Sequence, residues 1–162
     1  MNWIESAGGP LILIPRAALG QWGGASLQTP MVGDDYERAC AISDYVGKIN
    51  LGNSVALVLG DTPDSTTVLE TELGTALLRW RYADSEEQVL DSVRTKLKKA
   101  GTIQDLDYEV QESDHVLIDS AWSGTDFEDS LEVRLDVGAY RVCTRKHTEP
   151  RVEFLAHVFE KC

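Results

Sequence analysis

A chain of 162 residues, 43% hydrophobic and 26% charged, has the composition of a packed globular protein and not of a disordered one. Its formal charge of -12, from 15 Lys and Arg against 27 Asp and Glu, argues against nucleic acid or an anionic membrane as a partner and favours a basic protein. The three cysteines, Cys40, Cys143 and Cys162, are odd in number and lack metal or redox spacing, so reduced thiols and no metal or cofactor are expected.

The length predicts a single domain over residues 1–162. Residues 11–14, an apolar run bracketed by Pro10 and Pro15 and preceded by Gly8 and Gly9, predict a buried strand entered through a tight turn. Residues 20–30, rich in Gly, Ser and Gln around Trp22, read as a loop with one aromatic anchor, followed by a short segment at 35–42. Alternating apolar residues at 45–49, a Gly52-Asn53 turn and the run 55–59 predict a hairpin. Residues 75–82 predict a strand with Ala76, Leu78 and Trp80 on a core face and Arg79 and Arg81 on a polar one.

The clearest local element is an amphipathic helix at about residues 85–100. Ser85 and Gln88 can form a capping box, Val89, Leu90, Val93 and Leu97 make an apolar stripe, and Gly101 stops it. Glu86 and Glu87 at its start and Lys96, Lys98 and Lys99 at its end complement the helix dipole. Beyond it, strand-like runs at 106–110, 115–120, 131–135, 139–144 and 152–159 suggest a β-meander. Residues 47–59 and 132–142 share a loose strand, turn, strand form that is too short to establish a repeat. The fold class expected is α+β, strand-rich and mainly antiparallel, with one clear helix.

Catalytic patterns are weak. The Gly8-Gly9-Pro10 and Trp22-Gly23-Gly24 pieces lack the lysine of a P-loop and the strand-to-helix setting of a dinucleotide site, and are explained by turns. His115, His147 and His157 have no helical i, i+3 or i, i+4 ligand partner, so no metal site is expected. His115 with Asp114, Asp119 and Ser120 can be drawn as a hydrolytic set, but neighbours on one strand alternate faces and rarely converge. Cys143 becomes a nucleophile only if the fold brings His147 or His157 to it; otherwise it is a buried structural thiol. A small cytoplasmic hydrolase or transferase using Cys143 or His115 is the enzymatic alternative.

Two features suggest binding instead. Residues 105–136 hold eleven acids, Asp105, Asp107, Glu109, Glu112, Asp114, Asp119, Asp126, Glu128, Asp129, Glu132 and Asp136, against one basic residue, Arg134. They form either a solvated face or a docking surface for a cationic protein. The spacing of Asp126, Glu128 and Asp129 does not match a calcium loop. Of the four tryptophans, Trp3, Trp22, Trp80 and Trp122, those at 22 and 122 stand in expected loops, where each is either a core anchor or an interface hot spot. No apolar run approaches the about 20 residues of a membrane span, and residues 1–5 lack the basic start of an export signal, so a cytoplasmic location is expected.

Particular stretches carry a family likeness. Trp3-Ile4-Glu5-Ser6-Ala7-Gly8-Gly9-Pro10-Leu11 is the most specific, followed by the segment from Asp35 through Cys40 to Tyr45-Val46-Gly47, and by Ala56-Leu57-Val58-Leu59-Gly60-Asp61-Thr62-Pro63. Leu78-Arg79-Trp80, Asp119-Ser120-Ala121-Trp122-Ser123-Gly124 and Gly138-Ala139-Tyr140-Arg141-Val142 agree in style, over nearly the whole chain. The sequence resembles immunity protein family 21 of bacterial polymorphic-toxin systems. The resemblance implies an α+β protein without enzymatic activity that protects its cell by binding a cognate toxin. Trp3, Gly8, Gly9, Pro10, Gly60, Asp61, Pro63, Trp80 and Asp119 are carried over as marks of the family only. The partner-binding residues expected from the acids and exposed aromatics are Asp105, Asp107, Glu109, Glu112, Asp114, Asp126, Glu128, Asp129, Trp22 and Trp122.

Overall fold

A computed structural model describes residues 1–26, 34–60 and 62–162. In chain order its elements are β1 (Leu11–Pro15), a 3-10 turn (Arg16–Gln21), α1 (Asp35–Cys40), β2 (Gly47–Leu51), β3 (Ser54–Leu59), β4 (Ser65–Thr71), β5 (Gly74–Tyr82), α2 (Glu86–Lys96) with a 3-10 extension (Leu97–Lys99), β6 (Gly101–Val110), β7 (Asp114–Asp119), β8 (Leu131–Arg134), β9 (Gly138–Glu149) and β10 (Val152–Lys161). Every strand pairing is antiparallel, so the fold is α+β and mostly strand. The chain divides into two compact units, each assembled from separated stretches.

The first unit comprises Asn2–Pro63 and Glu112–Asp136 and holds the sheet β2-β3-β1-β7-β8. Position explains why the β1 run is apolar without alternation: the strand lies mid-sheet between β3 and β7, and all five of its residues are buried. The β2–β3 hairpin turns at Gly52, whose φ of +60° favours glycine. Ile12 and Ile14 join Val58, Val116, Ile118, Leu19, Trp22 and Ala39 in one core cluster, against which Ile42, Ile49 and Phe127 pack. The segment at 35–42 is a helix because the Asp34 carboxylate accepts a hydrogen bond from the Glu37 amide, a side-chain N-cap. The expected loop at 20–30 starts inside the 3-10 turn, and its residues 27–30 lie outside the described residues.

The second unit comprises Met1, Asp64–Gln111 and Val137–Cys162 and holds the sheet β4-β5-β10-β9-β6. Helix α2 forms as the sequence predicts: Ser85 Oγ accepts from the Gln88 amide, and Gln88 Oε1 in turn accepts from the Asp84 amide. It packs on β10, burying Val89 and Val93. Tyr108, Tyr140 and Phe159 meet edge to face on the sheet's opposite side.

The meander expectation is corrected, and two other readings are sharpened. The strands after the helix are no meander, because β6, β9 and β10 lie in one sheet while β7 and β8 lie in the other. For the same reason residues 132–142 straddle two sheets and repeat nothing seen in the β2–β3 hairpin. The face of β5 that carries Arg79 and Arg81 is polar as read but buried: Arg79 is 0% exposed, and Arg81 pairs with Asp64 with little of either side chain exposed. Burial lowers the Arg79 guanidinium pKa to about 10 against the opposing pull of Asp64. Strand β4, absent from the sequence reading, forms from a Thr- and Val-rich run that the turn at Glu72 and Leu73 folds back on β5.

Candidate functional site

The expected binding residues fall in both units. On β6, in the second unit, Asp105, Asp107 and Glu109 point to one exposed side, and Arg141 of the neighbouring strand lies within 3.3 Å of both Asp105 and Asp107. In the first unit Glu112 accepts from the Ala17 amide at 2.7 Å, and Asp114 lies 3.9 Å from Arg134. Glu132 pairs with Arg16. Much of the acid density is therefore spent on ladder ion pairs and loop contacts, each of small net worth at an exposed site.

The segment that follows β7 is different. Asp119 ends that strand 5% exposed, and its two carboxylate oxygens accept from the Ala7 and Ala121 amides at 2.9 Å each. Ser120 donates its hydroxyl and its amide to the Pro10 carbonyl, and its own carbonyl accepts from the Trp22 indole at 3.1 Å. The Gly124 amide donates to the Trp22 carbonyl at 2.7 Å, and the Ala25 amide to that of Ala121 at 2.9 Å. Two glycines are required for this closeness. A Cβ on Gly24, which has φ +66°, would sit 2.5 Å from the Trp122 backbone, and one on Gly124 would sit 1.6 Å from the Leu19 carbonyl oxygen.

Residues 119–124 are thus clamped through main-chain bonds while the Trp122 side chain is 37% exposed. Phe127, packed against the core cluster, tacks down the continuation, and Asp126, Glu128 and Asp129 around it are exposed. Among the described residues none of these three carboxylates forms an ion pair. One half-exposed indole beside three uncompensated acids, on a rigid loop, is what a cationic protein surface can bind at low ordering cost. Trp22, offered with Trp122 as a contact residue, is 1% exposed and belongs to the core.

The enzymatic candidates do not assemble. Cys143 pairs across the sheet with Val158 while His157 pairs with Thr144, so strand alternation points thiol and imidazole to opposite faces. His147 shares the Cys143 side but stands four residues along the strand, roughly 13 Å away at strand rise. Burial, then Glu160, pushes the Cys143 thiol up, the opposite of activation. His157 is fully buried with Nδ1 2.8 Å from the Thr144 hydroxyl, and burial, then Arg79 and Arg81, holds it well below the usual histidine range. His115, also lowered by burial, contacts the Ser113 carbonyl, whereas Ser120 and Asp119 are committed to Pro10, Ala7 and Ala121. Among the described residues no group of three or more His, Cys, Asp or Glu is placed to hold a metal, and no helix is long and apolar enough to cross a membrane.

The marks of family likeness have structural work to do. A Cβ on Gly9 would displace the Tyr36 phenol, and one on Gly60 would clash at 2.5 Å with the Asp44 carbonyl oxygen. Pro10 supplies the acceptor for Ser120, and Asp119 caps two amides. Gly8 has φ +138°. Trp3 and Trp80 are partly buried, Pro63 is exposed, and Asp61 lies outside the described residues. A family model described as immunity protein 21 matches residues 2–152. The chain belongs to the immunity protein 21 family. No curated protein and no solved structure matches it. Membership in an immunity family accords with a scaffold whose thiol and imidazoles are dispersed, and it directs attention to what the surface of such a protein offers a partner.

Proposed function

We propose that this immunity protein binds and neutralises a cognate polymorphic toxin through a non-catalytic, acidic interface in the cytoplasm, and that the toxin is a basic, nucleic-acid-cleaving protein. The observation that carries the reading is the clamped loop presenting Trp122 with Asp126, Glu128 and Asp129. A nuclease must attract phosphate and is basic near its active centre, so an acidic inhibitor competes for the same field. With a net charge of -12 the chain also steers such a partner from a distance, toward association rates of ~10⁸ to 10⁹ M⁻¹s⁻¹ at low salt. Asp105, Asp107, Glu109, Glu112 and Asp114 contribute to that long-range field.

The test uses the toxic domain encoded beside this chain, with binding followed by stopped flow and surface plasmon resonance. Asp126→Asn, Glu128→Gln and Asp129→Asn together should slow association several-fold at low salt and change dissociation little, whereas Trp122→Ala should chiefly speed dissociation. Unchanged association in the triple variant would remove the electrostatic argument. Unchanged affinity in Trp122→Ala would move the contact elsewhere.

A further inference from the structure

Strand β4 ends its sheet without the defences carried by the other edge strands. Among the described residues, β2, β8, β4 and β6 each have a strand neighbour on one side only. An open edge invites pairing with another chain, and folded proteins commonly blunt it with charge, bulges, shortness or a covering group. On β2 the edge carbonyl of Asn50 accepts from the Arg38 guanidinium. Strand β8 is only four residues long. Strand β6 breaks register between Thr102 and Gln104 and carries Asp105, Asp107 and Glu109. Strand β4 pairs with β5 in unbroken register, holds no proline, lysine or arginine, and has Glu70 as its one charge.

The open part is the second half of β4. Thr66 and Thr67 are buried, while Val68, Leu69 and Thr71 are half-buried and Glu70 is exposed. The two-residue turn closes on the pair Thr71 and Gly74, so by antiparallel alternation Val68 and Glu70 turn their backbone N–H and C=O away from β5. Beside them lies a groove of about 410 Å³ between β4 and α2, with Leu69, Leu90, Val93 and Leu97 as its apolar lining. Its charged lining is Glu70 and Glu72 with Arg94 and the Met1 α-ammonium, and Glu87 lines the adjoining depression. The cations are each held, Met1 by Glu86, Arg94 by Asp91 and the nearby Lys98 by Glu72, whereas Glu70 and Glu87 have no cationic partner among the described residues.

We infer that the β4 edge and this groove form a docking site for an extended segment of another protein, one with apolar side chains at alternate positions and Lys or Arg at its flanks. Backbone bonds to Val68 and Glu70 would extend the sheet, a side chain would enter the groove, and basic flanks would meet Glu70 and Glu87. A second copy of this chain suits the site less, because two chains of charge -12 repel each other. The inference goes beyond the toxin reading and uses a different surface from the Trp122 loop.

The experiment pans a displayed library of random dodecapeptides on the intact chain, depleting against Leu90→Glu, and then measures synthetic winners by calorimetry. Winners should alternate apolar residues between basic flanks and should slow amide exchange at Val68 and Glu70. Binding should weaken at least tenfold in Leu90→Glu and in Glu70→Pro and stay unchanged in Trp122→Ala. Glu70→Pro removes an N–H that points away from β5, so it should leave the β4–β5 ladder and the melting temperature nearly intact, and Glu70→Gln separates charge from backbone pairing. No enriched peptide, equal binding to both variants, or protection elsewhere would overturn the site. A dimer in light scattering that Glu70→Pro abolishes would overturn the proposed occupant in favour of a second copy.

Discussion

Replacing Asp119 tests whether the binding loop is held by one buried carboxylate. Its two oxygens accept from the Ala7 and Ala121 amides at 2.9 Å, and the residue is 5% exposed. Asp119→Asn keeps one carbonyl acceptor but turns an NH₂ toward the other amide. It loses one charge-assisted bond, worth about 1.5–3 kcal/mol, and strands a donor. Because both bonds are only part-buried, the lower part of that range applies, and about 2 kcal/mol is expected for Asn. Asp119→Ala removes both acceptors and should cost about 3–4 kcal/mol. With a urea m-value near 2 kcal/mol/M, the midpoint should fall by about 1 M for Asn and about 1.5–2 M for Ala. Urea unfolding monitored by tryptophan fluorescence reads this directly, since Trp22 and Trp122 flank the site. Shifts below about 0.3 M, or Asn as costly as Ala, would refute the two-bond argument.

Other consequences follow from burial and connectivity. Trp22→Phe keeps an aromatic ring but abandons the bond to the Ser120 carbonyl, and should cost about 1–2 kcal/mol in thermal unfolding, with Trp22→Ala at about 3–5 kcal/mol. The folded His157 pKa lies well below 6.5, so the unfolded chain takes up the proton first and stability should fall as pH drops through 6.5, by at most about 1.4 kcal/mol per pH unit. Denaturation at pH 7.5, 6.5 and 5.5 should show a shallower decline in His157→Gln, with a residue left because His115 is lowered in the same direction. Dithionitrobenzoate should find two fast thiols, the exposed Cys40 and Cys162, and one slow thiol, Cys143; three equal rates would contradict its burial. The backbone passes between the two units after residues 1, 63, 111 and 136, and we propose that the chain unfolds as one domain, with coincident far-UV and fluorescence transitions as the check.

Local signals in the sequence translated directly and long-range ones did not. The capping residues and stripe of α2, the Gly52-Asn53 hairpin and the Pro-bracketed β1 each depend on neighbours within a few positions, and each appears where expected. The allocation of strands to sheets depends on which distant strands pair, such as Leu11 with Asp119 or Gly101 with Lys146, and nothing local encodes that choice. Arg79 misled for a related reason, since an arginine on a strand reads as solvent-facing until both neighbouring strands and both faces are known. Strand β4 had a usable signal in Thr66-Thr67-Val68, three β-branched residues in succession. At the site, acid density was legible, but its division between ion-paired positions and the uncompensated loop was not. Trp22 and Trp122 looked alike in sequence, and burial in the core cluster together with the indole bond to Ser120 separates the anchor from the exposed ring.

The residues that carry the family likeness and those we propose meet a partner are largely different. Gly60 holds a close backbone approach and Asp119 two bonds from a buried carboxylate, and changing either disturbs the scaffold before it touches a ligand. Asp126, Glu128 and Asp129 project from that scaffold, and Trp122 beside them is 37% exposed. A fold arranged this way can keep its loop backbone while exposed side chains alter to follow a changing partner, because the clamp acts through main-chain atoms that any side chain supplies. Exchanging residues 125, 126, 128 and 129 should therefore alter partner choice at nearly constant stability, whereas the same number of changes among the marks should lose the fold. Stability losses above about 1 kcal/mol in the exchanged loop would show that these side chains also hold the scaffold, and would tie specificity to folding after all.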